Sequence, residues 1–278
     1  MGTELARVAL AELRTRFFVA GERASPRLLR ALRADPREGA RELADALSER
    51  LRRERAERRR LGRLYTLERS FASRGHARVA GVDEVGMGPL AGPVIAAAVI
   101  LPANAWLPGL DDSKRLTRAA RERLAREIAA LAIDCAIGCA EPEEIDRVNI
   151  YQAGLLAMRR AVEALAAPAD ALLVDARRVP GVACPQEAVA GGDATVAAIA
   201  AASIVAKVHR DARMAELDQR HPGYGFARHS GYSTREHLRA LERLGPSPVH
   251  RHSFEPVRSS AERAGLSAAR AGGACLTS

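Results

Sequence analysis

Residues 81–93 read Gly-Val-Asp-Glu-Val-Gly-Met-Gly-Pro-Leu-Ala-Gly-Pro. This pattern predicts a short apolar strand that carries two adjacent carboxylates, Asp83 and Glu84, into a turn of glycine and proline. Crowded carboxylates repel each other and raise each other's pKa, and a divalent cation such as Mg²⁺ or Mn²⁺ relieves that repulsion. Gly86 and Gly88 leave backbone N–H groups accessible to a ligand, as phosphate and sugar recognition requires. The alternative is an ordinary tight turn with exposed acids.

Three short apolar runs begin at residue 78, and they cover residues 78–83, 94–101 and 133–140. Turn signals separate the first run from the second. A helix that begins near Thr117 separates the second run from the third. This spacing predicts the antiparallel start of a sheet.

Helical and strand patterns alternate through the next part of the chain. A helix is expected over residues 150–165, followed by a buried strand over residues 171–175 that ends in a carboxylate. An Ala-rich helix is expected over residues 194–218, where small side chains permit close packing against a sheet, with Asp193 as its N-cap. A further helix is expected near residues 234–244. The pattern is that of an α/β fold.

Charge is concentrated near the N-terminus. Residues 1–75 contain 19 arginines and 11 acids, a net charge of +8, whereas the rest of the chain has a net charge of +1. This asymmetry favours an appended helical element that attracts a polyanion such as nucleic acid, and the alternative is a solvated charged helix. The expected organisation is a basic helical extension over 1–75, a catalytic domain over 76–257 and a disordered tail over 258–278.

Several classes of protein are not expected from the composition. No apolar run approaches the roughly 20 residues that a membrane-spanning helix needs. The first 20 residues lack the order of a signal peptide, so we expect a cytoplasmic protein. The four cysteines show neither the paired spacing of a zinc site nor the density of a disulfide framework.

Four acids are candidates for a metal site, namely Asp83, Glu84, Asp175 and Asp211. If the fold brings them together, they form a four-carboxylate cage of the kind that two divalent ions about 4 Å apart need for phosphodiester cleavage. Each acid also has a simpler interpretation. Asp175 could cap a turn at the end of its strand, and Asp211 could pair with Lys207 one helical turn earlier.

The two lysines are a second signal, because 41 of the 43 basic residues are arginine. Lys114 lies in Asp-Asp-Ser-Lys, and Lys207 lies in the Ala-rich helix near Asp211. Lysine offers a compact ammonium that the planar guanidinium of arginine does not replace. We therefore expect both lysines to contact a phosphate or a carboxylate.

These motifs together resemble the ribonuclease HII family over about residues 76–257. They occur in the family's order: Gly-Val-Asp-Glu-Val-Gly, Gly-Pro-Leu-Ala-Gly-Pro-Val, Asp-Ser-Lys-Arg-Leu, Asn-Ile-Tyr-Gln-Ala, Leu-Val-Asp, Gly-Gly-Asp, Ile-Ala-Ala-Ala-Ser-Ile-Val-Ala-Lys-Val, Arg-Asp, Tyr-Gly-Phe, Gly-Tyr-Ser-Thr and His-Arg-His-Ser-Phe. The resemblance implies a ribonuclease H-like mixed sheet flanked by helices. An N-terminal helical extension also occurs in one branch of the family.

The resemblance also implies an activity and its residues. The expected reaction is cleavage of the RNA strand of RNA–DNA hybrids and incision 5′ of single ribonucleotides embedded in duplex DNA, leaving 5′-phosphate and 3′-hydroxyl ends. The metal-binding acids carried over by motif are Asp83, Glu84, Asp175 and Asp211, with Mg²⁺ or Mn²⁺ as the cofactor. The expected partners are hybrid and ribonucleotide-containing duplexes, and the expected state is a monomer that binds no membrane.

Substrate recognition has to distinguish RNA from DNA, and the ribose 2′-OH is the group that differs. The backbone of Gly86, Met87 and Gly88 is a candidate for reading it. The resemblance places Tyr232 of the Gly-Tyr motif on the deoxyribose beside the scissile junction, and the alternative is a partly buried surface tyrosine.

Two positions depart from the family's pattern. Met87 stands where an arginine is usual, and Ser230 stands where a lysine precedes Gly-Tyr. Both changes remove a positive charge, so phosphate affinity should fall and the salt dependence of binding should flatten. An alternative function is therefore a nucleic-acid-binding homologue with weak or no cleavage, and another is a metal-dependent DNA nuclease of the same broad fold. The Arg-rich extension could supply compensating affinity.

Overall fold

The computed structural model describes residues 8–263. The chain divides into two compact units, with the boundary between Gly62 and Arg63. In the N-terminal unit, helices α1 (Leu10–Arg14), α2 (Pro26–Ala34) and α3 (Ala40–Leu64) are joined by a π-helical turn at Thr15–Val19 and by loops. The predicted helical character of the extension is confirmed.

A small apolar core holds the N-terminal unit together. Leu13, Phe17, Leu32, Leu43 and Leu47 are buried in it. These residues come from α1, the π-helical turn, α2 and α3, so each helix buries one face and exposes its arginines.

The second unit contains a five-stranded sheet with strand order β3-β2-β1-β4-β5. β1 pairs with β2, and β2 pairs with β3, in antiparallel register. On the other side of β1, β4 pairs with β1 and β5 pairs with β4, both in parallel register. The strands are β1 (Val79–Val85), β2 (Val94–Ile100), β3 (Asp134–Ala140), β4 (Ala171–Asp175) and β5 (Gln186–Val189). The predicted antiparallel start and the predicted strand over 171–175 are confirmed.

Helices of the second unit cover both faces of this sheet. They are α4 (Thr66–Ser73), α5 (Arg118–Leu131), α6 (Pro142–Val148), α7 (Ile150–Glu163), α8 (Gly192–Thr195), α9 (Ala197–Arg220), α10 (Phe226–His229) and α11 (Arg235–Leu244). α5 and α11 begin after Thr117 and Thr234, whose hydroxyls accept hydrogen bonds from Ala120 N and His237 N, so the predicted starts of these two helices are confirmed.

The two main helices approach the sheet closely because glycine faces them. A Cβ at Gly81 of β1 would overlap the backbone of Ala198 in α9, and a Cβ at Gly138 of β3 would overlap the backbone of Ala157 in α7. Ala80 of β1 lies in the same apolar cluster as Ala157. Since alternate residues of a strand face opposite sides, α7 and α9 pack on opposite faces of the sheet.

The Ala-rich helix begins later than the sequence pattern indicates. Asp193 is not its N-cap, because Asp193 lies within the separate short helix α8. Val196 adopts an extended conformation that separates α8 from α9, and as the N-cap of α9 it has no side-chain hydrogen bond to offer. The backbone N–H of Ala198 instead donates to Oε1 of Glu68 at 2.9 Å.

Residues on either side of the predicted catalytic domain also belong to the second unit. Phe71 of α4 is buried with Val79 and Leu173 of the sheet, so the compact unit begins well before residue 76. The prediction of a disordered tail over 258–278 is wrong for residues 258–263. These residues belong to a helical segment over 255–263, and the Ser260 hydroxyl donates a hydrogen bond to Leu241 O. The rest of that tail lies outside the described residues.

Two expectations from composition concern the described residues only. Within residues 8–263 there is no helix long and apolar enough to cross a membrane. Three of the four cysteines, Cys135, Cys139 and Cys184, are free and half-buried, and the fourth lies outside the described part of the chain.

Candidate active site

The candidate site lies where β1 and β4 end side by side. These two strands are parallel and are paired up to Val82 and Val174, so Asp83 and Asp175 follow at neighbouring positions on the same edge of the sheet. Parallel pairing brings carboxyl ends of strands together, and a ligand site at that edge is common in open α/β sheets. The topology therefore brings together two acids that are distant in sequence.

Asp83 is the most buried of these acids, with 5% of its surface exposed. Its carboxylate accepts hydrogen bonds from the Ser203 side chain of α9 and from Glu84 N, the latter at 2.8 Å. Burial, the charge of Glu84 and that of Asp175 raise the pKa of Asp83 to about 8, although the two hydrogen bonds oppose this. An anionic Asp83 is thus costly in the absence of a cation.

Glu84 lies on the opposite face of β1 from Asp83. β1 stays paired with β2 as far as Val85, so the strand does not end at the two acids, and their side chains leave it on opposite faces. Glu84 Oε1 is 3.4 Å from the Arg177 guanidinium, whereas Oε2 is buried and has no hydrogen-bond partner. Burial raises the pKa of Glu84, and the nearby Arg177 opposes that effect.

Asp175 is fixed by the loop that follows β5. Its Oδ1 accepts a hydrogen bond from Gly192 N at 2.8 Å. Burial raises the pKa of Asp175, as does the charge of Asp193, while the Gly192 N–H, Lys114 and Arg177 favour the carboxylate. Asp175 is therefore more than a cap on its own turn, because its charge acts on both Asp83 and Glu84.

The two lysines contact carboxylates. Lys114 Nζ lies 3.1 Å from Asp193 Oδ2, and its side chain is 78% exposed. Burial lowers the pKa of Lys114, but the contact with Asp193 and the charges of Asp112 and Asp83 together outweigh burial, so the pKa is raised overall. The Lys114 charge also acts on Glu84 and Asp175.

Asp211 contacts two cations and a hydroxyl. Its Oδ1 lies 2.6 Å from Lys207 Nζ and 3.3 Å from Ser230 Oγ, and its Oδ2 lies 3.9 Å from Arg121. The simpler interpretation of Asp211, as the partner of Lys207 one helical turn earlier, is thus present in the structure. Among residues 8–263, no three His, Cys, Asp or Glu side chains are arranged to hold one metal ion, so the predicted cage is not preassembled.

Two buried arginines hold the glycine turn from behind. Arg251 donates to the carbonyls of Gly86, Met87 and Gly92 at 2.6 to 3.1 Å. Arg210 donates to the carbonyls of Pro93, Ala91 and Ser230 at 3.0 to 3.3 Å. Burial and the charge of Arg210 lower the pKa of Arg251 to about 9. With both side chains committed to carbonyls, the turn has a fixed shape.

The outer side of the same turn is exposed to solvent at Gly88. Gly88 is exposed, and within the described part of the chain neither Met87 N nor Gly88 N donates a hydrogen bond. The Tyr232 ring lies beside this turn, 3.7 Å from where a Cβ at Gly88 would be, and is 44% exposed. The Met87 side chain turns towards α7, where a Cβ at Gly154 would lie 3.0 Å from its sulfur. The exposed Gly88 therefore lies beside the Tyr232 ring, in a turn whose Met87 and Gly88 amides have no partner among the described residues.

Sequence reasoning did not identify several residues that shape the site. Arg177 follows Asp175 by two positions, and nothing in the sequence links it to Glu84. Ser203 lies within the motif Ile-Ala-Ala-Ala-Ser-Ile-Val-Ala-Lys-Val, but its contact with Asp83 depends on how α9 packs. Arg210 precedes Asp211 and could have been read as one more surface arginine. Its burial was not predictable in a chain so rich in arginine.

Comparisons with known proteins show the family of the chain. The sequence model of the family Ribonuclease HII matches residues 80–257, and that of the family Ribonuclease HII N-terminal domain matches residues 10–72. The chain is 52% identical to a ribonuclease HII of Anaeromyxobacter sp. (strain Fw109-5) over 255 residues, which cover 92% of this chain and 81% of that protein. It is 58% identical to a ribonuclease HII of Nitrosococcus oceani over 181 residues, 65% of this chain and 90% of that protein.

Solved structures show the same fold. The crystal structure of the ribonuclease H2 from Pyrococcus horikoshii OT3 is similar with a TM-score of 0.57 and 27% identity, over 67% of this chain and 98% of that chain. The crystal structure of Bst-RNase HIII in complex with Mn²⁺, at 20% identity and a TM-score of 0.51, shares the fold over 68% of this chain and 71% of that chain. Because one family model spans more than half of the sequence and a relative above 50% identity spans nearly all of it, the chain belongs to the ribonuclease HII family and is an endoribonuclease.

Proposed function

We propose that this protein cleaves the RNA strand of RNA–DNA hybrids and incises duplex DNA 5′ of single embedded ribonucleotides, leaving 5′-phosphate and 3′-hydroxyl ends. It would act in the cytoplasm as a monomer, with Mg²⁺ or Mn²⁺. The observation that carries the proposal is the raised pKa of Asp83, about 8, which burial and the nearby charges of Glu84 and Asp175 produce where β1 and β4 end, beside a braced glycine turn with free amides.

The residues of the site fit divalent cations. Oε2 of Glu84 is a buried oxygen with no hydrogen-bond partner, and burial and neighbouring acids raise the pKa values of Asp83 and Asp175. Hard oxygen ligands of this kind are those that Mg²⁺ and Mn²⁺ prefer. Asp83, Glu84 and Asp175 would hold the metal together with Asp211, once Asp211 binds the metal ion in place of the Lys207 ammonium. Bound divalent ions supply activation of water and stabilisation of the departing oxygen.

The chain's own residues would select and orient the substrate. The N–H groups of Met87 and Gly88 have no partner among the described residues, and they would donate to the ribose 2′-OH that distinguishes RNA from DNA. The Tyr232 ring would pack on the neighbouring deoxyribose. Lys114 and Lys207 would contact backbone phosphates. Lys207 lies beside the candidate metal ligand Asp211, and Lys114 lies beside Asp193, whose charge acts on the candidate ligand Asp175.

The direct test uses a DNA duplex that contains one ribonucleotide, incubated with Mg²⁺ or with Mn²⁺. Incision on the 5′ side of the ribonucleotide is expected, and it should be lost in the Asp175→Asn variant, without metal, and when the ribose is replaced by deoxyribose. Incision of the all-DNA duplex would indicate instead a DNA nuclease of the same fold.

A second candidate function is a nucleic-acid-binding homologue with weak or no cleavage. It is favoured by the two positions that lack an expected cation, since the Met87 side chain packs towards α7 and Ser230 is occupied with Asp211. Binding of the ribonucleotide duplex with no incision in either metal would support this alternative and contradict the first proposal.

A further inference from the structure

Arg177 is a partly buried arginine whose side-chain donors are unused. It follows the end of β4 by two positions, and 24% of its side chain is exposed. Within the described part of the chain its guanidinium makes no hydrogen bond, and Nη1 is buried without a partner. Buried polar groups nearly always have a hydrogen-bond partner, and a guanidinium carries five N–H donors. Arg210 and Arg251, behind the glycine turn, use theirs on carbonyls.

The contact between Arg177 and Glu84 is incomplete on both sides. Nη1 of Arg177 lies 3.4 Å from Oε1 of Glu84 without the geometry of a hydrogen bond, and Oε2 of Glu84 is buried without a partner as well. An arginine that pairs fully with a carboxylate forms two parallel N–H···O bonds of about 2.7 to 2.9 Å. Each group thus retains capacity for another partner: a cation for the Glu84 oxygen, and an anion for the guanidinium.

Arg177 lies beside Met87 of the glycine turn. A Cβ at Gly154 of α7 would lie 3.0 Å from Nη1 of Arg177 and 3.0 Å from the sulfur of Met87, so the two side chains meet over the same glycine. Cζ of Arg177 lies 5.1 Å from the centroid of the exposed Tyr151 ring. An aromatic face attracts a cation electrostatically, so Tyr151 holds the guanidinium without using any of its N–H donors.

We infer that Arg177 binds a backbone phosphate of the nucleic acid substrate beside the glycine turn, in place of the cation that is absent at Met87. The inference deepens the proposed function and rests on it for the identity of the substrate. A phosphate accepts two parallel hydrogen bonds from a guanidinium, so it satisfies the donors that Glu84 leaves unused. The carboxylates at this edge repel phosphate, and a cation among them lowers that repulsion.

The first test measures binding of an RNA–DNA hybrid by the full-length protein, without metal, over a range of chloride concentrations. Arg177→Gln should reduce the log–log salt slope by about 0.9, the value for one phosphate contact, and bind about tenfold more weakly at low salt. Arg177→Lys keeps the charge but not the paired hydrogen bonds, so it should keep the slope and lose less affinity.

Arg78→Gln is the matched control for the loss of one arginine. Arg78 pairs with Asp170 at 2.9 Å, immediately before β1 and β4 begin, and thus at the opposite edge of the sheet from Arg177. Its removal should leave the slope at the wild-type value. The same loss of slope in Arg78→Gln as in Arg177→Gln would indicate a general effect of charge and would overturn the inference.

A second control keeps the charge of the active-site edge constant. Glu84→Gln with Arg177→Gln removes one charge of each sign, so the slope should stay reduced if Arg177 itself contacts phosphate. A slope that returns to the wild-type value would overturn the inference. A purely structural role for Arg177 would lower the thermal stability of Arg177→Gln without moving its slope, and that result would overturn it too.

A further comparison tests whether Arg177 replaces the cation that is absent at Met87. Met87→Arg should restore most of the affinity in the Arg177→Gln background but add little where Arg177 is present, because the two cations would then serve one phosphate. Equal gains in both backgrounds would show two independent contacts and would overturn the replacement.

Incision of a ribonucleotide-containing duplex by the wild type is measured alongside binding, and it separates the inference from the proposed function. A chain that binds through Arg177 but fails to incise would contradict the proposed function alone. Incision by the wild type together with an unchanged slope in Arg177→Gln would contradict the inference alone.

Discussion

His250 donates a hydrogen bond from Nε2 to Nε2 of His237 across 3.1 Å. The direction follows from Ser247, whose backbone N–H donates to His250 Nδ1 at 3.0 Å and so leaves the proton on Nε2. His237 then accepts at Nε2, and its Nδ1–H donates to the carbonyl of Tyr232 at 2.9 Å. Both rings are neutral and buried, and together they connect Ser247 to the backbone of the residue expected to contact the substrate.

The first prediction concerns pH. Burial, followed by the charge of His237, lowers the pKa of His250 from 6.5 to about 3. The unfolded chain takes up this proton below about pH 6.5 while the folded chain does not, so stability is fully present above that value and falls as the pH decreases. Between pH 6.5 and about pH 5 the free energy of unfolding should fall by about 2 kcal/mol through this residue. Urea unfolding across this range should show a shallower pH dependence in His250→Asn, and an equal slope in both proteins would contradict the assignment.

The second prediction concerns the hydrogen bond to Tyr232. His237→Phe leaves His250 Nε2–H without a partner and removes one of the two hydrogen bonds to the Tyr232 carbonyl, which keeps only the bond from Thr234 N. The change should destabilise the protein by about 1 to 3 kcal/mol and raise KM for a ribonucleotide duplex more than it lowers kcat. If His237 acts by positioning Tyr232, its effect on KM should not add to that of Tyr232→Ala, because residues in one network are coupled. Fully additive effects in the double variant would show that His237 serves stability only.

Sequence patterns predict most of this fold because its strands and helices are locally consistent. β4 has the predicted bounds, and the threonines that begin α5 and α11 are hydroxyl caps visible in the sequence. The start of α9 was not predictable from local signals. Its first turn is capped by Glu68, which lies 130 positions away in sequence.

The candidate site was predictable in its residue types but not in its arrangement. The pairing of β1 continues past Asp83 to Val85, which places Glu84 on the other face, and this depends on the partner strand β2. Asp193 was expected as a helix cap, whereas it pairs with Lys114 across a loop. Contacts of this kind depend on tertiary packing, which overrides local preference.

The third prediction concerns Glu68. Because Val196 offers no capping side chain, the Glu68 carboxylate satisfies the N-terminal amide of Ala198 in the helix that carries Lys207 and Asp211. Glu68→Ala should lower the free energy of unfolding by about 1 to 2 kcal/mol, as the loss of a helix cap does. Glu68→Gln retains an oxygen acceptor without a buried charge, so its stability should stay close to wild type. Denaturant unfolding distinguishes the two, and equal losses would show that the charge, not the hydrogen bond, stabilises α9.

The fourth prediction concerns metal and stability, measured without any activity assay. The Asp83 charge is buried among other acids, so Asp83→Asn should raise the Tm in EDTA by several degrees, since the amide can still accept hydrogen bonds from Ser203 and Glu84 N. Mg²⁺ or Mn²⁺ should raise the Tm of the wild type, because an ion that binds only the folded state stabilises it, and should raise that of the variant much less. Asp45→Asn, which changes an exposed acid of the N-terminal unit, is the control and should respond as the wild type does. An undiminished metal response in Asp83→Asn would remove Asp83 from the metal site.

The fifth prediction tests whether a cation is missing at Ser230. Ser230 lies beside Asp211 at the catalytic edge, with its Oγ 3.3 Å from Oδ1 and its carbonyl held by Arg210. Ser230→Lys should strengthen hybrid binding at low salt and steepen the log–log salt slope by about 0.9 if the new ammonium reaches a phosphate. Ser233→Lys adds the same charge at an exposed position three residues further along and should leave the slope nearly unchanged. Equal steepening in both variants would attribute the gain to net charge, and no change in Ser230→Lys would mean that substrate phosphates do not pass this edge.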